Sequence, residues 1–234
     1  MGLQRDYYLD QDEKTKTIRD QYVAHIARML QFIDYDEAEA AAAAEKILAL
    51  ETQLAEPRLD KVAMRDARNY NNPMTLDELQ ALTPVLDWSK MVSDMGITKE
   101  LGTINVMQPE YMKALNNFLT TTSIDDIKTL MDWSTLNSAT SMLTTEINRA
   151  NWEFYSKTLR GAQMMRPADE RALGTVDGAV GEAIGKLYVE AKFPPEAKAK
   201  AETMIAHVIS AFQNRIQQLD WMTEETKAKA IEKL

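Results

Sequence analysis

Apolar residues return every third or fourth position in one long segment after another, and that spacing permits little besides helices packed on helices. Ile18, Tyr22, Ile26, Leu30 and Ile33 form one stripe. Ile47, Leu50 and Leu54 form a second, in a segment that Asp36 can cap and Pro57 closes. Phe32 to Tyr35 is short enough to fold the two back on each other as a hairpin of helices. Ala38 to Ala44 is almost all alanine, so intrinsic propensity supports the second helix before packing does. The chain has eight glycines and seven prolines in 234 residues, too few for an all-β fold built on tight turns.

Arg58 to Met107 is less regular and carries Pro73, Pro84, Gly96 and Gly102. Thr75 with Glu78 makes a capping box, a further short helix is expected near Asp87, and Thr103 to Val106 is the one β signal. Pro109 suits the first turn of a helix with Tyr111, Leu115, Phe118 and Leu119 inward. Ser123 with Asp126 opens another helix, which the spacing carries to about Leu159 along a seam of Leu136, Ala139, Leu143, Ile147, Ala150 and Phe154. Gly161 and Pro167 end it. Two further helices carry Val176, Val180, Ile184 and Leu187, then Met204, Val208, Phe212, Ile216 and Leu219. No repeat, linker or composition break marks a second domain. The predicted class is all-α, an irregular multi-helix bundle with at most a minor short β element, its stripes from Ile18 to Leu219 pairing mostly within the chain.

Several chemistries are excluded by what the chain lacks. Without cysteine there are no disulfides, thiol nucleophiles, Fe–S clusters or Cys-based zinc sites. Zinc hydrolysis on a helix wants two His at i and i+4, and neither His25 nor His207 has such a partner. Tyr22 and Met204 stand three residues before them, so the Glu-x-x-His pairs of di-iron bundles are missing too. No Gly-x-Ser-x-Gly elbow, Ser-x-x-Lys pair or phosphate loop occurs. The predicted catalytic and metal-binding residues are therefore none. A formal charge of −9 argues against a nucleic-acid partner. No segment is apolar enough to span a bilayer. Asp34, Asp36, Glu37, Glu39, Glu45, Glu51 and Glu56 read as the solvated face of an acidic helix.

One feature resists a bland reading. Gly174, Gly178, Gly181 and Gly185 fall at spacings of 4, 3 and 4, which puts them on one face of a helix. Each costs about 1 kcal/mol against alanine, so four are tolerated only where another helix approaches closely. Asp177, Glu182 and Lys186 exclude a membrane dimer motif. Gly174, Gly178, Gly181 and Gly185 are thus predicted to be structural, helix-packing positions.

At this stripe the sequence resembles a family. Gly178-Ala-Val-Gly-Glu-Ala-Ile-Gly-Lys-Leu-Tyr-Val-Glu190, followed by Phe193, is similar to a signature of the neprilysin and endothelin-converting-enzyme family of zinc metallopeptidases. Leu3 with Arg5-Asp6-Tyr7-Tyr8 resembles its Gly-Leu-Pro-x-Arg-Asp-Tyr-Tyr block, with Gln4 where Pro is usual. Glu51 with Leu54-Ala55, Arg65-Asp66 with Tyr70-Asn71 and Met74-Thr75, Asp87-Trp88, Pro109-Glu110-Tyr111 and Leu219-Asp220-Trp221-Met222 follow in the family's order.

The resemblance implies that residues 1–234 are mainly the helical second domain, a lid that caps the peptidase domain and encloses a chamber. The zinc ligands and catalytic Glu, in a His-Glu-x-x-His helix and a downstream Glu-x-x-x-Asp helix, are then expected after residue 234. By that implication zinc and peptide substrates belong to the parent protein, where zinc-bound water attacks the peptide bond with Glu as general base. The fragment alone is neither an enzyme nor a zinc protein, and its principal partner is the catalytic domain of its own chain. Ala172, where vertebrate members carry a disulfide Cys, points to a bacterial member, with a periplasmic, envelope-anchored or secreted parent expected and a cytoplasmic one as the alternative. The helix capped by Thr223 reaches Leu234 with no stop signal, so the chain is expected to continue, and the uncovered last helix to fray or to pair with a second copy. The competing reading is a stand-alone helical scaffold or adaptor whose glycine face docks a partner helix.

Overall fold

The computed structural model describes residues 1–234, with twelve α-helices and one small sheet. The helices are α1 (Arg5–Leu9), α2 (Glu13–Leu30), α3 (Glu37–Ala55), α4 (Ala67–Tyr70), α5 (Leu76–Leu82), α6 (Trp88–Asp94), α7 (Pro109–Thr121), α8 (Ile124–Ala139), α9 (Thr145–Trp152), α10 (Ala168–Lys192), α11 (Pro195–Gln217) and α12 (Glu224–Lys233). Two compact units divide the chain, Met1–Met165 and Arg166–Leu234. The division falls between Gly161, which takes φ +77°, and Pro167.

The first unit is built on the α2–α3 hairpin. Asp12 caps α2 by accepting from the Thr15 N–H. Asp36 and Glu39 make a reciprocal capping box on α3, satisfying two of the otherwise unpaired first-turn donors. Asp34, at φ 70°, turns the chain between them after a 3₁₀ turn over Gln31–Ile33. That turn carries Ile33 out of the stripe to 36% exposure, so the α2 core face ends at Leu30. On α3 the buried set is Ala40, Ala43, Ala44, Ile47, Leu50, Glu51 and Ala55; Leu54 is only half-buried. The alanines matter as packing residues: a fully enclosed row of them lets α2 and α3 lie close.

Around this hairpin pack α1, α8 and α9. Trp133 and Leu136 of α8, Ile147 and Ala150 of α9, and Phe154 complete the core with Tyr8, Tyr22 and Ile26. The helix expected to run unbroken to Leu159 is instead three pieces. After α8 a 3₁₀ turn spans Thr140–Met142, Leu143 becomes extended (φ −95°, ψ −168°), and Thr144 caps a fresh start by accepting from the Ile147 N–H. A threonine offering its hydroxyl to the third following N–H competes with helix continuation, and here it wins. Leu143 is consequently 42% exposed, while Leu136, Ile147, Ala150 and Phe154 keep the seam. The chain then widens into a π-helical turn, Glu153–Thr158.

Between α3 and α7 the short helices α5 and α6 start where expected, capped by Thr75 with Glu78 and by Asp87. The β signal is one strand of a two-residue antiparallel pair, β1 (Pro73–Met74) and β2 (Ile104–Asn105), with Pro73 opposite Asn105.

In the second unit α10, α11 and α12 follow one another, and α12 contacts α11. No residue of the three is buried. Val176, Val180 and Leu187 of α10 and Met204, Val208 and Phe212 of α11 are each at least 45% exposed, so within this unit the stripes do not cover one another. The expectation that they pair with one another is corrected on that point. Helical periodicity shows that a face exists and carries no information on where its partner lies.

Candidate functional site

The most constructed polar feature is a buried carboxylate. Glu51 sits at the core face of α3, one turn after Ile47, and is 1% exposed. Its Oε2 accepts from the Tyr8 hydroxyl at 2.8 Å and the Tyr22 hydroxyl at 2.7 Å, and its Oε1 accepts from the Gly2 N–H at 2.9 Å. The Met1 amino group lies 3.6 Å from Oε1. The Leu3 N–H donates to the Tyr8 oxygen at 2.9 Å, and Trp133 Nε1–H donates to the Tyr22 oxygen at 3.2 Å. Both phenols are pushed far above the ordinary range, by burial first and then by the Glu51 charge. They therefore remain neutral donors, as a buried carboxylate requires.

This network fixes the first residues onto the hairpin. A Cβ on Gly2 would lie 2.1 Å from the Tyr22 hydroxyl oxygen and 2.6 Å from that of Tyr155, so the strand of backbone fits only as glycine. Because its carboxylate is enclosed and saturated, Glu51 ties elements together and has no access to a substrate. Its type hid this in the sequence, where it counted among the acids of a solvated helix. The signal was its position, since Ile47 and Glu51 are four apart on the buried stripe.

His25, next to this network, packs among rings: stacked on Phe154 (centroids 4.8 Å, 12°) and edge-on to Trp133 and Tyr155. Its Nε2 is enclosed and has no hydrogen-bond partner. Burial, then the nearby Arg28 charge, pushes the imidazole down to about 4. Burial pushes the Tyr155 hydroxyl up to about 12. His207 is exposed on α11, in the other unit. No three His, Asp or Glu side chains converge as a metal site would require.

Gly174, Gly178, Gly181 and Gly185 all lie on α10, but its backbone leaves helical geometry at Val180 (φ −139°, ψ 27°), so two glycines fall on each side of a kink. A Cβ on Gly174, Gly178 or Gly185 would meet nothing within 4 Å, and one on Gly181 only the Asp177 carboxylate of the same helix at 3.2 Å. Within the second unit, neither α11 nor α12 comes that near the glycines.

Comparison with known proteins gives these motifs their context. The N-terminal profile of peptidase family M13 matches residues 1–234. The chain belongs to peptidase family M13. Human neprilysin is 30% identical over 222 residues, covering 90% of this M13 chain and 30% of that protein. A putative zinc metalloproteinase encoded in the scaA 5′ region of Streptococcus gordonii is 29% identical over 206 residues, 88% of this chain and 36% of that protein. Among solved structures, the Mycobacterium tuberculosis zinc metalloprotease Zmp1 in complex with an inhibitor superposes with a TM-score of 0.86 at 31% identity, over 97% of this chain and 34% of that one. PepO from Lactobacillus rhamnosis shares the fold at 17% identity, with a TM-score of 0.81. The chain thus spans about a third of the length of the relatives it matches. The Arg5-Asp6-Tyr7-Tyr8 and Glu51 blocks that carry the resemblance are the two halves of one hydrogen-bonded network.

Proposed function

We propose that residues 1–234 are the N-terminal, non-catalytic part of a bacterial zinc metalloendopeptidase, mainly the helical lid domain that walls a chamber admitting peptides. The observation that carries this reading is the match of the whole chain to the N-terminal profile of family M13, over only about a third of its relatives' length. Zinc and the catalytic Glu belong in this reading to the following domain, which is also the intramolecular partner of the lid. The uncovered stripes of α10 and α11 support such a partner. On this reading Gly174, Gly178, Gly181 and Gly185 accept a helix from outside these 234 residues. We expect the parent in the periplasm, in the envelope or outside the cell, with a cytoplasmic parent as the alternative; no helix of this chain is long and apolar enough to cross a membrane.

The test begins with the gene. An open reading frame that continues past Leu234 into a His-Glu-x-x-His helix supports the reading. The longer product should then hydrolyse peptides in a zinc-dependent manner, and the 234-residue chain should not. A reading frame ending at Leu234 would favour the helical scaffold, with the open glycine face as its docking surface for a partner helix.

A further inference from the structure

A cleft of about 520 Å³ opens between the first residues of the chain and the segment that follows α3. Four cations line it, Arg5, Arg58, Lys61 and Arg65, and Asp6 is the one carboxylate among its lining residues. In a chain of formal charge −9 this is a reversal of sign. The four are also poorly matched by the protein itself. Asp6 takes Lys61 at 2.8 Å and reaches Arg5 only at 3.7 Å. Arg5 Nε is enclosed with no hydrogen-bond partner. Arg58 rests over the Tyr111 ring, 5.1 Å from its centroid, and otherwise donates only to the Met1 sulfur at 3.5 Å. Arg65 makes no ion pair or side-chain hydrogen bond. The neighbouring Asp60 takes the Val62 and Ala63 N–H groups on Oδ1 at 2.8 and 2.7 Å, and it makes no ion pair with the four cations.

Guanidinium groups with few carboxylate partners, gathered in a concave site, are what recognition of carboxylate and phosphate uses, because the planar fork donates two parallel bonds to such oxygens. A cleft also focuses their field toward an entering anion. Its volume lies in the range of small-molecule sites. The Gln108 side chain helps to shape it, accepting from the Leu59 N–H at 2.8 Å and so leaving its amide N–H₂ free to donate. We propose that this cleft binds a small multivalent oxyanion, a polycarboxylate or an organic phosphate, independently of peptide hydrolysis.

The test is calorimetric titration of the 234-residue chain with pyrophosphate and, separately, with citrate at low ionic strength, together with NMR of the Arg Nε–H groups. At least one probe should bind with a dissociation constant below about 1 mM and shift the Arg5 Nε–H resonance. Arg65→Ala should weaken binding by about tenfold, since a charge-assisted bond is lost from a side chain that supports nothing else. Preference for pyrophosphate identifies the phosphate class and preference for citrate the carboxylate class. Should Arg58→Ala disturb folding by losing Tyr111, Arg65→Glu tests the same site without touching that contact. Absence of binding by both probes at millimolar concentration, or binding unchanged in Arg65→Ala and Arg65→Glu, overturns the proposal.

Discussion

The two units read alike in sequence and differ in what they bury. In Met1–Met165, Tyr22, Ile26, Met29, Leu30, Ile47 and Trp133 are at most 1% exposed, and a buried carboxylate is fully paired. In Arg166–Leu234 the apolar spacing is as regular, but nothing is buried. Leu187, Tyr188, Met204 and Phe212 all stand more than half exposed. Large exposed apolar faces are the kind of surface that interaction sites use. The difference teaches that the first unit holds its own core, whereas the second leaves its apolar stripes exposed.

The largest expected contrast is at Glu51. Glu51→Ala removes the acceptor for the Tyr8 and Tyr22 hydroxyls and the Gly2 N–H in one step, and should cost about 3–5 kcal/mol in urea unfolding. Glu202→Ala, on α11, should change stability by less than about 0.5 kcal/mol. Similar costs for the two would erase the distinction between the units.

Next in size is a pH effect confined to the first unit. His25 is held near 4 in the fold against an ordinary value of 6.5. A group depressed in this way binds its proton more readily in the unfolded chain, so its neutral form stabilises the fold at neutral pH. That stabilisation starts to fall below pH 6.5 and is gone below pH 4, a loss of about 3 kcal/mol. The charged groups facing it are Arg28, which opposes protonation, and Glu153, which is paired with Arg28. Acid titration of the wild-type chain and His25→Phe should therefore diverge across this window, the variant losing less. Parallel curves would remove the imidazole from the account.

The smallest effect concerns the glycines. Gly174→Ala and Gly178→Ala meet open space and should stabilise the 234-residue chain by up to about 1 kcal/mol through helix propensity. Gly185→Leu should be nearly neutral here and harmful in the longer protein, if a helix from outside covers that face. Destabilisation already in the 234-residue chain would show that the covering element lies within it.

Much of this architecture was legible. The α2–α3 hairpin, the capping boxes at Asp36 and Thr75, Pro109 at the head of α7 and the extended backbone at Ile104–Asn105 follow from local chemistry that acts within four residues or so, whereas the partner strand Pro73–Met74 did not. What escaped depends on competition or on distance. The break at Leu143 comes from Thr144 outbidding the helix for the Ile147 N–H, although the apolar seam runs straight through it. Glu51 escaped because its three donors come from residues 2, 8 and 22, and no local pattern announces a meeting over that span. The uncovered faces of α10 and α11 escaped for a further reason, because periodicity is blind to the location of the partner.

The most direct test of this division is amide hydrogen exchange, followed residue by residue in the dilute 234-residue chain. The account predicts that amides of α2 and α3, around Ile26 and Ile47, exchange only through global opening, and that those of α10 and α11, around Leu187 and Phe212, exchange orders of magnitude faster. Equal protection of Ile47 and Phe212 in a verified monomer would contradict it, since the second unit would then hold a core of its own.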